Sequence, residues 1–220
     1  MKTAVIDTET SGLFDFKQPA DAPGQPRLAN LAIIMLDENL EVTAEHDFLI
    51  QPDGWDLTPE AAAVNGLTVE RLKAEGIPVR DVLGKYSTLI EAGYVIATYN
   101  AQFDTKIMRG ELRRAGMPDL FEQTPNVCLM RASTDVCKIP SKNNRGFKFP
   151  KLGEACAFFK IEQSASHTAL GDARSAVAIL KALHALKALP EPEVHYAKNV
   201  PVGAPVKPAA AAAPKTDDAY

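Results

Sequence analysis

Val5-Ile6-Asp7-Thr8-Glu9-Thr10-Ser11-Gly12-Leu13 is the stretch on which the reading of this chain turns. It closes a short apolar strand expected over Thr3 to Asp7. Side chains alternate across a strand, so Asp7 and Glu9 project from one face, about 7 Å apart along the chain. Two carboxylates on one face of a buried strand repel each other and lose hydration unless something positive lies between them. A divalent cation meets that need. The competing reading is a strand end in open water, with both acids simply hydrated.

Two further segments carry acids at comparable places. In Ile96-Ala97-Thr98-Tyr99-Asn100-Ala101-Gln102-Phe103-Asp104 a strand runs straight into a helix, with Asn100 as the expected N-cap and Asp104 in the first turn. An anion there is favoured by the helix dipole, which is also its bland explanation. In Ser166-His167-Thr168-Ala169-Leu170-Gly171-Asp172-Ala173, His167 precedes the last long helix and Asp172 falls in its first turn. Ala169, Leu170, Ala173, Val177 and Leu180 recur at helical spacing, so that helix is expected to pack on a sheet.

Around these segments the pattern alternates. Strands are expected over Leu31 to Leu36 and Ala44 to Ile50, joined by Asp37-Glu38-Asn39 as an antiparallel hairpin. Helices are expected over Pro59 to Val64, Val69 to Ala74 and Val82 to Glu91, then a strand over Tyr94 to Thr98 and a helix over Phe103 to Ala115. Asn126 to Met130 reads as a fifth strand continuing into helix, and Leu152 to Phe159 and Ala169 to Leu189 supply the last two helices. Strands early and βα alternation later imply an α/β fold, a mixed sheet covered by helices. Residues 1–189 form the expected domain, and the Pro- and Ala-rich segment 190–220 a flexible tail or partner-docking arm.

Composition excludes several classes. The chain has 220 residues, 46% of them hydrophobic, and a net charge of −4, so a whole-surface nucleic-acid binder is disfavoured while one basic cleft remains allowed. No run approaches the roughly 18 apolar residues needed to cross a bilayer. Asp7 interrupts the N-terminus too early for a signal peptide, and the expected compartment is the cytoplasm. Cys128, Cys137 and Cys156 are odd in number and never spaced C-x-x-C, which favours free buried thiols over disulfides or structural zinc.

Asp7-Thr8-Glu9, then N-x-x-F-D from Asn100 to Asp104, then H-x-A-x-x-D from His167 to Asp172 occur in one order. Together they resemble the three motifs of the DEDD superfamily of 3′–5′ exonucleases, in its His-containing, DnaQ-like branch, over roughly residues 1–187. The resemblance implies a ribonuclease-H-like fold, a five-stranded mixed sheet with helices on both faces. It implies two divalent cations, Mg²⁺ with Mn²⁺ able to substitute, held by Asp7, Glu9, Asp104 and Asp172, with Asp7 bridging them. His167 would take the proton from the attacking water. Contacts to the terminal nucleotide are implied for Thr8, Thr10, Leu13, Glu60, Asn65, Asn100 and Phe103, although Leu13 reads equally as core and Phe103 as packing beneath its helix. Tyr99 stands where many relatives carry His.

The expected activity is release of nucleoside monophosphates from DNA 3′ ends, single-stranded DNA being the expected substrate. The alternatives are the same chemistry on short RNA and a non-catalytic module associated with a polymerase. No polymerase module accompanies the motifs in these residues, so proofreading would call for a polymerase or other replication or repair protein in trans, reached through the tail. The Pro-rich segment over residues 14–27 adjoins the carboxylates and is a candidate gate. A basic run of Lys138, Lys142, Arg145, Lys148 and Lys151, containing Phe147 and Phe149 and no acid, reads either as a phosphate clamp with stacking rings or as a solvated loop. Arg109, Arg113 and Arg114 read as a solvated helix face. His46, His184 and His195 read as structural or surface residues.

Overall fold

In the computed structural model, which describes residues 1–120, 124–143, 145–163 and 168–194, the N-terminal apolar run becomes the middle strand of a five-stranded sheet. The strands are β1 (Thr3–Thr10), β2 (Leu28–Leu36), β3 (Val42–Leu49), β4 (Val95–Thr98) and β5 (Asn126–Cys128), and they lie in the order β3-β2-β1-β4-β5. β1 to β3 form an antiparallel meander, whereas β4 and β5 run parallel to β1. The helices are α1 (Pro59–Asn65), α2 (Val69–Glu75), α3 (Val79–Glu91), α4 (Ala101–Arg114), α5 (Leu129–Cys137), α6 (Leu152–Phe159) and α7 (Ala169–Ala185). This is the mixed sheet with helices on both faces that the sequence implied.

Alternation along the strands builds two cores. Val5, Ala32, Ile34 and Ala97 meet α5, α6 and α7 on one face. Ala4, Ile6, Leu31, Ile33 and Ile96 meet α3 and α4 on the other. Because both faces are covered, β1 and β2 read as continuous apolar runs rather than as alternating ones. The edge strand β3 instead carries Glu45, His46 and Asp47, all exposed, which blunts the edge against pairing with other chains. On α7, Ala169, Ala173, Ala176 and Leu180 are buried, and these small side chains bring the helix close to the sheet.

Several boundaries move for identifiable reasons. β1 continues past Asp7 to Thr10 because β2 pairs with it as far as Glu9↔Asn30, with a bulge following. β5 stops at Cys128, and α5 ends where Lys138 takes a left-handed φ of 50°. α7 ends at Ala185 rather than Leu189, since Lys187 at φ 55° leaves the helix. Glu193 exchanges two backbone hydrogen bonds with Asn126, so the segment expected to be tail begins by pairing with β5. Residues 195–220, including His195, lie outside the described residues. His46 and His184 are exposed, and the three cysteines are free and buried. No helix among the described residues is long and apolar enough to cross a membrane.

The arginines of α4 are not a solvated face. Arg109 and Arg113 both reach Asp119, at 3.0 and 2.7 Å, and Arg114 meets Glu111 at 3.1 Å. Glu111, only 1% exposed, also accepts from Arg27 at 2.8 Å and from the Leu28 N–H at 3.1 Å. These contacts fasten the Pro-rich segment across α4. Lys106 Nζ donates to the Gln18 carbonyl at 2.8 Å and lies over the rings of Phe14 and Phe16. Gln25 donates to the carbonyls of Asp15 and Pro19 from inside the loop. A Cβ at Gly110 would meet the Ala20 carbonyl oxygen at 2.5 Å, so glycine there permits the closest approach.

Candidate active site

β1 outlasts its neighbour. β4 pairs with it only from Thr3↔Val95 to Val5↔Ala97, so Asp7 to Thr10 run on beyond the parallel partner. Past that point both helical layers can reach the strand. Asp7 and Glu9 share the Val5 side, toward α7, where Asp172 sits in the first turn. Thr8 shares the Ile6 side, toward α4, where Asp104 sits in the first turn. The acids therefore converge from opposite faces of the sheet.

One carboxylate oxygen each from Asp7, Glu9 and Asp172 lies within 4.8 Å of the other two, and all three residues are half-buried. Asp104 is buried, and its Oδ1 accepts from the Thr8 hydroxyl at 2.8 Å. Crowding of like charges away from water has the expected consequence. Burial, followed by the charges of Asp104, Glu9 and Asp172, pushes the Asp7 carboxyl well above the usual range. Burial, then Asp172 and Asp104, raises Glu9 to about 7. Burial raises Asp104 to about 6, opposed by the Thr8 hydroxyl, which favours the charged form. A site that holds protons this tightly, built only of carboxylate oxygens, fits a hard divalent cation of the Mg²⁺ or Mn²⁺ type.

The caps are divided differently from expectation. Asn100 occupies the N-cap position of α4 without a side-chain cap bond; its carbonyl accepts from the N–H groups of Phe103 and Asp104 instead. Thr168 caps α7, accepting from Gly171 N–H at 3.2 Å. His167, the residue before it, lies outside the described residues.

Of the implied nucleotide contacts, Thr8 is committed to Asp104 and Phe103 packs edge-on against Phe14, with ring centroids 5.4 Å apart. Thr10 bonds the Gly12 carbonyl at 2.7 Å, and the buried Asn65 amide donates to the Thr10 carbonyl at 3.4 Å while its oxygen accepts from Leu67 N–H. With Thr58 N–H donating to the Ser11 carbonyl at 2.9 Å, these bonds bolt α1 beside the end of β1. Asn65 is thus a structural bolt. Leu13 is not core: it is 87% exposed. Glu60 is exposed as well, and Val64, one turn on along α1, is 60% exposed. The sequence did not single out Val64, whose spacing of four from Glu60 puts the two on neighbouring turns of α1.

Comparison with known proteins follows the same outline. A family model described as exonuclease, of the RNase T type, matches residues 4–180. No curated protein sequence matches the chain. Among solved structures, E. coli exonuclease I in complex with a dT13 oligonucleotide is similar at 20% identity and a TM-score of 0.68, covering 83% of this chain and 40% of that one. The zinc-ion-bound form of the E. coli exonuclease I–ssDNA complex is similar at 21% identity and a TM-score of 0.68, covering 84% and 40%. This chain thus spans about two fifths of the length of those structures, and at such identity the likeness is one of fold.

Proposed function

The chain belongs to the exonuclease family, and on that premise we propose that it removes nucleoside monophosphates from the 3′ end of single-stranded DNA by metal-dependent hydrolysis. The observation that carries this reading is the convergence of Asp7, Glu9 and Asp172 within 4.8 Å, with Asp104 beside them. We assign these four residues as holders of two divalent cations, Mg²⁺ or Mn²⁺. Such a pair, when bound, supplies an activated water and stabilises the leaving alkoxide.

The remaining work falls to the chain itself. Asp7 feels Asp104 from α4, Asp172 from α7 and Glu9 from its own strand, which makes it the carboxylate suited to be shared. Thr8 orients Asp104 and favours its ionised form. His167 is assigned as the base that takes the proton from the attacking water. An unperturbed pKa of about 6.5 suits that role, which is worth roughly 10²–10⁴ in rate. Leu13 and Val64, exposed on two segments joined by the Asn65–Thr10 and Thr58–Ser11 bonds, offer apolar surface for the terminal base. Glu60 and the unspent Asn100 side chain are the polar groups available to the terminal sugar and phosphate. Deoxy-oligonucleotides in the similar exonuclease I structures support DNA over RNA.

The test is a time course with 3′-labelled and 5′-labelled DNA and RNA oligomers, in Mg²⁺ and in EDTA. Stepwise loss from the 3′ end, dependent on metal and faster on DNA, is expected. Faster loss from RNA would replace the substrate assignment, and metal-independent or 5′-directed release would overturn the mechanism.

A further inference from the structure

Resting on that reading, the basic–aromatic run the sequence singled out acquires a place. Residues 139–143 and 145–148 pair as the two arms of a small hairpin: Lys148 N–H donates to the Ile139 carbonyl at 2.9 Å and Ser141 N–H to the Gly146 carbonyl at 3.1 Å. Gly146 turns it at φ 77°, a conformation glycine adopts freely. The return arm is tied to the site. The Tyr99 hydroxyl donates to the Pro150 carbonyl at 2.7 Å, and Tyr99 is the residue immediately before Asn100, at the mouth of the turn that presents Asp104. Tyr99 is itself buried, so the return arm is anchored beside the end of β4, from which α4 starts.

The surface of this arm combines apolar rings with cations. Phe147 and Phe149 are 45% and 55% exposed, two residues apart, and the Arg131 guanidinium lies 6.0 Å from the Phe149 ring. Lys148 between them pairs with Glu154 on α6, which fixes the backbone of the arm. Lys138, Lys142, Arg145 and Lys151 are exposed and form no ion pair with any described residue. A protein of net charge −4 that carries exposed cations in the same short segment as two half-exposed phenyl rings presents a surface suited to a polyanion carrying flat apolar groups. A single strand of nucleic acid has both features: bases to stack and phosphates to neutralise.

We propose that the 138–151 arm binds the single strand upstream of its 3′ terminus, with Phe147 and Phe149 stacking on bases and Lys142, Arg145 and Arg131 facing phosphates, while the terminal nucleotide occupies the carboxylate site. The arm is the element that makes the protein prefer long strands over short ones.

Fluorescence anisotropy in EDTA, where no hydrolysis intervenes, tests this with labelled 3-mer and 12-mer deoxy-oligonucleotides. Phe147→Ala with Phe149→Ala is expected to reduce the ratio of 12-mer to 3-mer affinity by about 10–100-fold, as stacking on one or two bases warrants. Lys142→Ala with Arg145→Ala is expected to flatten the salt dependence of 12-mer binding by roughly 1.4 in log–log slope, at about 0.7 per lost phosphate contact. All four side chains are exposed, and unchanged melting temperatures would verify intact folds. An unchanged length ratio and salt slope in folded variants would overturn the proposal. Wild-type protein that binds in this length-dependent way yet hydrolyses neither oligomer in Mg²⁺ would leave the arm standing and remove the exonuclease reading beneath it.

Discussion

Replacing Glu9 by Gln isolates what the carboxylate cluster does to stability. In the metal-free protein Glu9 is raised from 4.5 to about 7, so the folded state holds its proton more tightly than the unfolded chain. The sign follows from linkage: stability associated with this group is greatest below its unfolded value near 4.5 and falls as pH rises through about 7. At 1.36 kcal/mol per pH unit the full effect is about 3 kcal/mol at pH 8, an upper figure because the neighbouring Asp172 and Asp104 carboxylates interact with it. Glutamine keeps the shape and loses the charge. The Glu9→Gln protein is therefore expected to melt about 5–10 °C higher than wild type at pH 8 in EDTA, using roughly 2–4 °C per kcal/mol for a chain of this size. At pH 5 the difference should shrink to about 0.8 kcal/mol, roughly 2–3 °C. Thermal melts by differential scanning calorimetry across pH 5–8.5 measure both. Millimolar Mg²⁺ or Mn²⁺ at pH 8 should raise the wild-type melting temperature in proportion to ln(1 + [M]/Kd) and raise the variant less. A wild-type melting temperature in EDTA that rises between pH 5.5 and 8, or a variant with no advantage at pH 8, would refute the reasoning.

The neighbouring contacts give two further expectations. Thr8→Val removes the hydroxyl that holds the Asp104 carboxyl down, so Asp104 should titrate above its present value of about 6. The acid limb of the pH–rate profile should then move to higher pH, and stability fall by about 1–3 kcal/mol in denaturant titrations. Gly110→Ala drives a methyl group into the Ala20 carbonyl, 2.5 Å away, and the backbone of the 14–27 segment must shift to admit it. A loss of about 1–3 kcal/mol is expected, with faster tryptic cleavage after Lys17 as the local readout; equal cleavage rates would mean that the segment is not held by α4.

The mixed sheet, its β2–β3 hairpin and the acidic segments were legible because each left a local mark: an apolar run ending in acids in β1, the Asp37-Glu38-Asn39 turn, small residues at helical spacing in α7, acids in first turns. What was not legible depended on partners remote in sequence. Arg109, Arg113 and Arg114 look like a solvated face until Asp119, Asp21 and Glu111 are placed against them. Thr8 reads as a nucleotide contact, and its bond to Asp104 was not legible because that acid lies ninety-six residues away. Asn100 fits every rule for a cap, yet its backbone carbonyl alone takes that role. Lys187 carried no signal that the helical pattern through Leu189 would break there, and the αL conformation of a lysine is not one the sequence announces.

The short β4 explains why this cluster can exist at all. Had β4 matched β1 in length, a backbone ladder would occupy the flank of Asp7 to Thr10 from which α4 now delivers Asp104. Ending at Thr98, it opens one side of the strand just where the parallel register runs out, and the helix that follows turns its first turn into the gap. The repulsion thereby created is borne by elements that cannot relax. β1 is locked between two apolar cores, α4 is clasped by the 14–27 segment through Glu111 and Lys106, and α7 is seated on the sheet by alanines. A looser frame would let the carboxylates move apart and hydrate, and the raised proton affinity of the cluster would vanish with their proximity. The Arg27–Glu111–Arg114 group, built on the buried Glu111, therefore acts on the site by denying it that escape.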